Sequence, residues 1–528
     1  MAWWGWGPEG AERALPRGGI DVLEAELGPL SRTPRPPVAP DAVALGDPAP
    51  VPDLGLALDA SRAARLAHAA GRSYPDLIRL RTGRVEHGPD AIARPGSHAE
   101  VAGLLERAAA AGVAVVPWGG GTSVVGGVEP LRGPFAAVVA LDLGALDRLV
   151  ALDERSLTAV LEPGLRLPEA EELLAARGLT LGHVPQSWEY ATVGGCAATR
   201  SAGQASTGFG RIDELVVGLR AASPGGEIVL PPRPPSAAGP DLRELLVGSE
   251  GTLAVLTEIA LRVRPRAPHE RFEGFSLPGW RDGIEALRAL EQGGKAPDVV
   301  RLSDPEETRL TLLQARSSAR ALKAYRAVRG HRRGCLAVVG WYGERDGIDR
   351  RRRRAAAVLR RYGAVTLGAG PGRAWEQGRF RAPYLRDALL AHGVLAETLE
   401  TAAPWSGLEA LHARVGEALR DVLGARGTPA RVLSHVSHLY PTGASLYFTF
   451  LARAEPGAEL AQWRAAKDAA SEAIAGAGGT ISHHHAVGTD HAPWMEREIG
   501  KTGVRLLRAA KRELDPAGIL NPGKLLPA

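Results

Sequence analysis

Val113-Ala114-Val115-Val116-Pro117-Trp118-Gly119-Gly120-Gly121-Thr122-Ser123 is the stretch that decides the fold. Four apolar residues in a row suit a buried strand, and the glycines directly after it let backbone N–H groups converge with no Cβ in the way. Such a turn forms an anion-binding nest fit for a pyrophosphate, and Thr122 and Ser123 add hydroxyl donors. The loop is neither the G-x-G-x-x-G fingerprint nor a P-loop, whose lysine it lacks. A tight structural turn also explains its glycines, so the loop alone leaves both readings open.

Regular structure extends outward from this loop. Ser97-x-x-Glu100 reads as a capping box opening a helix, with Val101, Leu104, Leu105 and Ala108 at helical spacing and Gly112 as its stop. Strands are predicted at Ala137–Leu141, Leu157–Leu161 and Leu215–Ala221, the last turning through Pro224-Gly225-Gly226 into Glu227–Leu230. A helix over Pro168–Arg177 has Pro in its first turn and Gly178 at its end. Leu253–Val263 reads as a long strand closed by Pro265 and Pro268, a domain boundary. We therefore divide the chain into an N-terminal extension (1–83) that wraps another domain, a central α+β domain (84–268) and a C-terminal domain (269–528). In the last, Arg350–Arg354 begins a helix with a solvated basic face. Strands at Leu336–Trp341 and Ser445–Leu451, a helix near Trp463–Ala475 and a strand into His483-His484-His485 follow.

A chain of 528 residues, 45% hydrophobic, can bury more than one core. Its net charge of +5 is small, and no nucleic-acid-binding pattern accompanies it. Two cysteines, Cys196 and Cys335, build neither a disulfide framework nor a four-thiolate metal site, which fits a reducing compartment. The window Ala108–Val128 is broken by Pro117 and glycines and makes a poor membrane span. We expect a cytoplasmic protein, peripheral at a membrane if at all.

Three further segments sharpen the reading. Pro185-Gln186-Ser187, then Thr192-Val193-Gly194-Gly195 running on through Thr199-Arg200-Ser201-Ala202, then Gly248-Ser249-Glu250-Gly251-Thr252-Leu253 with Val255 combine small residues and hydroxyls. Together with Pro117–Ser123 they let a bulky flat cofactor approach backbone. The P-x-G-G-G-T-S loop, the T-V-G-G segment and the G-S-E-G-T-L segment, in that order, resemble the vanillyl-alcohol oxidase/PCMH-type FAD-binding family over residues 84–268. The resemblance implies an α+β fold: a PCMH-type FAD-binding domain of two α+β subdomains, capped by a C-terminal α+β domain. It implies FAD as cofactor. No histidine or cysteine lies in the glycine loop as an attachment point, so we expect the FAD to be non-covalent, with Cys196 a packed residue.

Within that family the chain is similar to the alkyldihydroxyacetonephosphate synthase group over most of its length. Trp4-Gly5-Trp6-Gly7, Gly182-His183-x-Pro185-x-Ser187, Tyr384-Leu385-Arg386-Asp387, Glu400–Trp405, Gly443–Phe448 and Ser482-His483-His484-His485 carry this likeness. It implies exchange of the acyl group of acyl-dihydroxyacetone phosphate for a fatty alcohol, through a flavin N5 adduct and without net redox. Tyr447 would be the acid/base group, with His485, His484, His483 and His183 beside it, and Arg386 and, more weakly matched, Arg301 would hold the phosphate. Partners would be these small lipids, with room for peripheral membrane contact and a homodimer. Read as strand residues, His483 and His485 share one side and His484 the other, leaving two local ligands and no metal site.

Some positions depart from the group: Gln186 replaces an acidic residue, and Ala486-Val487-Gly488-Thr489-Asp490 follows the histidines. The alternative is an FAD-dependent oxidoreductase of a D-2-hydroxy acid such as D-lactate or glycolate. Its members resemble this chain through the FAD domain and the ending Leu514-Asp515-Pro516 to Asn521-Pro522-Gly523-Lys524. They carry Gly-Glu-His-Gly, however, where this chain has Ser-His-His-His.

Overall fold

The structure is a computed structural model and describes residues 1–11, 14–85, 87–314 and 319–527. Among these residues the strands form three larger sheets and a two-stranded ribbon. The first sheet has the order β1 (Leu58–Asp59), β2 (Ala91–Ala93), β4 (Ala137–Asp142), β3 (Val113–Trp118). β2, β4 and β3 run parallel. Helix His98–Ala111 makes the crossover into β3, and its Leu104, Leu105 and Ala108 lie in the sheet's core. Ser97 caps it as read, but Glu100 accepts from Gly96 N–H at 2.7 Å, one residue before the cap.

The second sheet is antiparallel, in the order β5 (Leu149–Asp153), β6 (Thr158–Leu161), β10 (Val255–Arg262), β8 (Val216–Ser223), β9 (Gly226–Leu230). The ribbon joins β7 (Leu179–Thr180) to β11 (Arg264–Pro265). The third sheet has seven strands in the order β15 (Val365–Gly368), β12 (His269–Leu277), β14 (Cys335–Gly343), β13 (Val299–Ser303), β17 (Arg431–Tyr440), β18 (Gly443–Arg453), β16 (Val394–Pro404). Its neighbours all pair antiparallel, and helices Trp280–Gln292, Arg345–Arg361, Leu408–Ala425 and Glu459–Gly476 contribute to the core packed on it.

Several expectations are corrected. Arg350–Arg354 sits inside helix Arg345–Arg361 rather than at its start. It is not simply a solvated face, because Arg351 bonds Asp298 at 2.6 Å and Arg352 bonds Glu273 at 2.6 Å, and both carboxylates are buried. His483–His485 lies in an irregular loop, not a strand. The final residues leave the C-terminal domain: β3 is an edge strand, and the returning chain satisfies it. Val115 N–H donates to Ile519 O at 2.9 Å and Asn521 N–H to Val115 O at 2.8 Å, while Ile519 and Leu520 are fully buried in the first sheet's core. The extension reaches both other parts, since β1 joins the first sheet while Tyr74 and Leu77 enter the core of the third.

Candidate active site

The glycine loop leaves β3 and packs against the segment before Thr192. A Cβ on Gly120 would lie 1.9 Å from Tyr190 O, and one on Gly119 2.5 Å from Thr192 Oγ. Gly121 has φ +65°, where a side chain is strained. Thr192 caps helix Val193–Ala198 by accepting from Gly195 N–H at 3.2 Å, so that helix begins beside the loop. Gly251 (φ +69°) closes over Pro117. Four non-glycine residues here hold left-handed backbone: Arg200, Glu250, Ala486 and Asn521, with φ between 41° and 72°. Such outliers persist where surrounding contacts over-determine them, which is common at binding sites.

Not every expected cofactor residue turns its side chain to this cradle. Arg200 bonds Val247 O, Asp213 and Glu244. Gln186 donates to Arg379 O at 2.7 Å. Thr199 and Thr252 hydroxyls return to backbone carbonyls, and Leu253 and Val255 are core residues. These residues offer backbone and shape. Ser201 receives or gives a hydrogen bond with His183 Nε2 at 3.1 Å, and Ala202 is buried beside it. Glu250 accepts from Val487 and Gly488 N–H, both at 2.8 Å, so it anchors the turn after the histidines. Burial pushes its carboxyl up to about 7 against these two donors.

The histidines are arranged by a residue the sequence reading did not single out. Glu400 on β16 accepts from the backbone N–H groups of His483 (2.6 Å), His484 (2.9 Å) and His485 (2.7 Å), and from Ser482 Oγ (2.9 Å). Three successive N–H groups reach one carboxylate only if the chain curls around it, which is why no strand forms. Burial would raise the Glu400 carboxyl; the pull of the histidine rings whenever one carries a proton, together with the N–H donors, overcomes that and holds it well below its usual range. Glu400, Tyr447 and His435 form one row across β16, β18 and β17, so they share a face of the sheet.

Tyr447 therefore sits in a ring of imidazoles. His435 stacks on it at 4.9 Å, His485 meets it edge-on at 5.5 Å and His484 lies at 6.1 Å. Burial raises its hydroxyl pKa. Burial likewise drives His485 and His183 down to about 3 and lowers His484 and His483, favouring neutral rings. His183 Nδ1 and Arg386 Nε are buried and without a hydrogen-bond partner among the described residues. Arg301 is instead employed within the protein, bonding Glu307 at 2.6 Å and His435 at 2.9 Å. It thus braces the imidazole stacked on Tyr447 rather than presenting a free fork.

The metal argument from strand alternation fails with the strand. His438 of β17 joins His483 and His484 with ligand atoms within 4.8 Å of one another. Tyr440, also missed, bonds His483 Nε2 at 2.7 Å. A cavity of about 490 Å³ reaches Tyr440 from one side, lined by Ala402, Ala403, Gly443, Gly479, Ile481 and Arg497 among others. Among the described residues no helix is long and apolar enough to cross a membrane.

Comparison with known proteins agrees with this geometry. The family described as FAD binding domain matches residues 89–230, and FAD linked oxidases, C-terminal domain, matches 266–525. The site described above fits that cofactor: glycines that admit no Cβ, a helix starting beside them, and buried polar atoms still lacking partners. Alkyldihydroxyacetonephosphate synthase of Dictyostelium discoideum is 34% identical over 88% of this chain and 77% of its own. A solved structure of an alkyldihydroxyacetonephosphate synthase superposes with TM-score 0.86 at 29% identity, covering 99% of both chains. The mitochondrial D-lactate dehydrogenase [cytochrome] of Arabidopsis thaliana is more distant, 27% identical over 83% of this chain and 74% of its own. With that identity and that coverage, the chain belongs to the alkyldihydroxyacetonephosphate synthase family of FAD-linked enzymes.

Proposed function

We propose that this protein exchanges the acyl group of an acyl-dihydroxyacetone phosphate for a fatty alcohol. The observation that carries this reading is Arg386: a guanidinium with a buried, unpartnered Nε, whose charge reaches both Tyr447 and His485. Among the described residues no carboxylate pairs with this cation; a phosphorylated substrate would supply one anion for it, and the fork geometry suits a dianionic headgroup. A 2-hydroxy acid has only one carboxylate to offer, and the Gly-Glu-His-Gly site of its dehydrogenases is replaced here by Ser482–His485.

The glycine cradle of Pro117–Ser123 with Thr192 and Gly251 would hold FAD without a covalent link, and FAD when bound would supply the electrophilic flavin chemistry of the exchange. Cys196 is no attachment point, being buried with its thiol pushed up to about 12. The protein's own residues handle substrate and protons. In the net reaction one C1–O bond breaks, releasing the fatty acid, and another forms to the alcohol oxygen; the alcohol proton leaves with the carboxylate product. Tyr447, protonated at neutral pH, is placed to give a proton and take it back. Neutral His484 and His485 can accept a hydrogen bond from the alcohol as it approaches C1, and Glu400 keeps them in place.

The test is an exchange assay with palmitoyl-dihydroxyacetone phosphate and labelled hexadecanol. Label in the phosphorylated product, with stoichiometric palmitate, is expected; Tyr447→Phe should abolish it while the protein stays yellow. Label incorporation by Tyr447→Phe at the native rate would remove the acid/base role.

A further inference from the structure

Residues 2–7 form a closed turn rather than a loose end. Ala2 N–H donates to Gly7 O at 2.6 Å, and Ala2 and Trp6 are 1% and 3% exposed. Trp6 is gripped from two sides. Its main-chain N–H donates to Asp387 Oδ2 at 2.6 Å, and its indole Nε1 to Glu189 Oε2 at 3.0 Å. Tyr384 donates its hydroxyl to the same Glu189 oxygen at 3.0 Å, and the Trp6 ring meets Tyr190 edge-on at 5.3 Å. Arg72, 2% exposed, donates to Ala2 O at 2.9 Å while its own N–H holds Ser123 O of the glycine loop at 2.6 Å.

The flanking glycines are required by the approach. A Cβ on Gly5 would lie 2.5 Å from Asp387 Oδ2, and one on Gly7, at φ +82°, would lie 2.4 Å from the Tyr384 ring. Tyr384 and Asp387 belong to helix Ala382–Ala391, which also carries Arg386 between them. Residues three apart on a helix share a face, so anchoring this pair fixes the helix's rotation and with it the direction of Arg386. The other anchor, Glu189-Tyr190, is the wall against which Gly120 packs. The turn thus spans from the cap helix to the cofactor cradle.

We infer that residues 2–7 are a positioning tether for the substrate's phosphate: they fix Arg386 relative to the flavin cradle without touching substrate. This rests on the reading of Arg386 as the phosphate contact. A charge-assisted bond to phosphate weakens steeply once its donor is displaced by about 1 Å, so the tether should act on substrate affinity.

The test uses full-length holoenzyme carrying Trp6→Ala, Trp6→Phe, Arg386→Ala, or Trp6→Ala with Arg386→Ala. Titration calorimetry with inorganic phosphate and steady-state exchange kinetics give the readouts. Trp6→Ala should weaken phosphate binding and raise KM about tenfold, with kcat within about threefold of native and the flavin spectrum unchanged. Trp6→Phe keeps an aromatic ring and the main-chain bond but loses the indole N–H and part of the ring's bulk, so it should fall between. The double variant should be no weaker than Arg386→Ala alone. Additive losses, or a fall in kcat at native KM, would overturn the tether. If Trp6→Ala sheds its flavin, the cycle run with Trp6→Phe decides by the same criteria. Native phosphate affinity and KM in Arg386→Ala would overturn the phosphate reading itself; weak binding in Arg386→Ala but native binding in Trp6→Ala would overturn the tether alone.

Discussion

Replacing Glu400 by glutamine should cost activity far more than fold. The carboxylate serves four donors, with Ser482 Oγ and the His484 and His485 N–H groups on Oε1 and the His483 N–H on Oε2. A glutamine can keep its carbonyl on the Oε1 side, but its amide NH₂ then faces the His483 N–H, donor against donor. One charge-assisted bond is lost and a buried donor is left without a partner, together about 2–4 kcal/mol. Charged to the placement of the histidine loop, that predicts a fall in kcat of roughly 30- to 1,000-fold. Absorbance of the purified protein should show native flavin content, because the glycine cradle is built from other segments. Glu397→Gln is the control. Glu397 lies on the opposite face of β16 and holds the Trp463 indole at 2.7 Å, so its loss should lower Tm and spare turnover. A Glu400→Gln enzyme with more than half the native kcat would refute the carboxylate as organiser of the loop.

Other perturbations follow from the same contacts. Gly120→Ala puts a methyl 1.9 Å from Tyr190 O, so the purified protein should be colourless and not recover its flavin absorbance with added FAD. Asn521→Ala removes the donor to Gly127 O and Glu250 O, which should cost about 1–3 kcal/mol in denaturant titrations. Acidification should destabilise the fold from about pH 6.5 downward. His183, His435, His438, His483, His484, His485 and His491 all have folded pKa values lowered first by burial, so the unfolded chain binds protons that the folded one refuses. Asp76, raised to about 6, and Glu250 and Asp490, raised to about 7, act in the opposite sense but are fewer. A Tm constant between pH 7 and 5 would contradict this balance.

The cradle was legible because its physics is local: a buried strand, then glycines where a neighbouring carbonyl leaves no room, all within eleven consecutive residues. The order of three such segments carried the cofactor and the fold. The reactive side was legible only through resemblance. Tyr447 in Leu446-Tyr447-Phe448 reads as an ordinary strand aromatic; its meaning comes from a register that sets Glu400 and His435 on either side of it. The histidine run was misread as a strand because the curl is imposed by Glu400, 83 residues earlier in the chain. A carboxylate in the middle of the strand segment Leu399-Glu400-Thr401-Ala402-Ala403 was the available signal, since an acid buried there must have donors to meet. Arg301 was expected at the phosphate from the resemblance and Arg200 at the cofactor from the segment it lies in, whereas Glu307, Asp213 and Glu244, distant or unremarkable in sequence, claim their guanidinium groups.

The central claim is the acyl exchange, and the flavin spectrum tests it most directly. Yellow holoenzyme is mixed anaerobically with palmitoyl-dihydroxyacetone phosphate and, separately, with D-lactate. The account predicts a spectral change with the acyl substrate, accompanied by release of palmitate, and no response to D-lactate. Bleaching by D-lactate with stoichiometric pyruvate, and an unchanged spectrum with the acyl substrate, would contradict it.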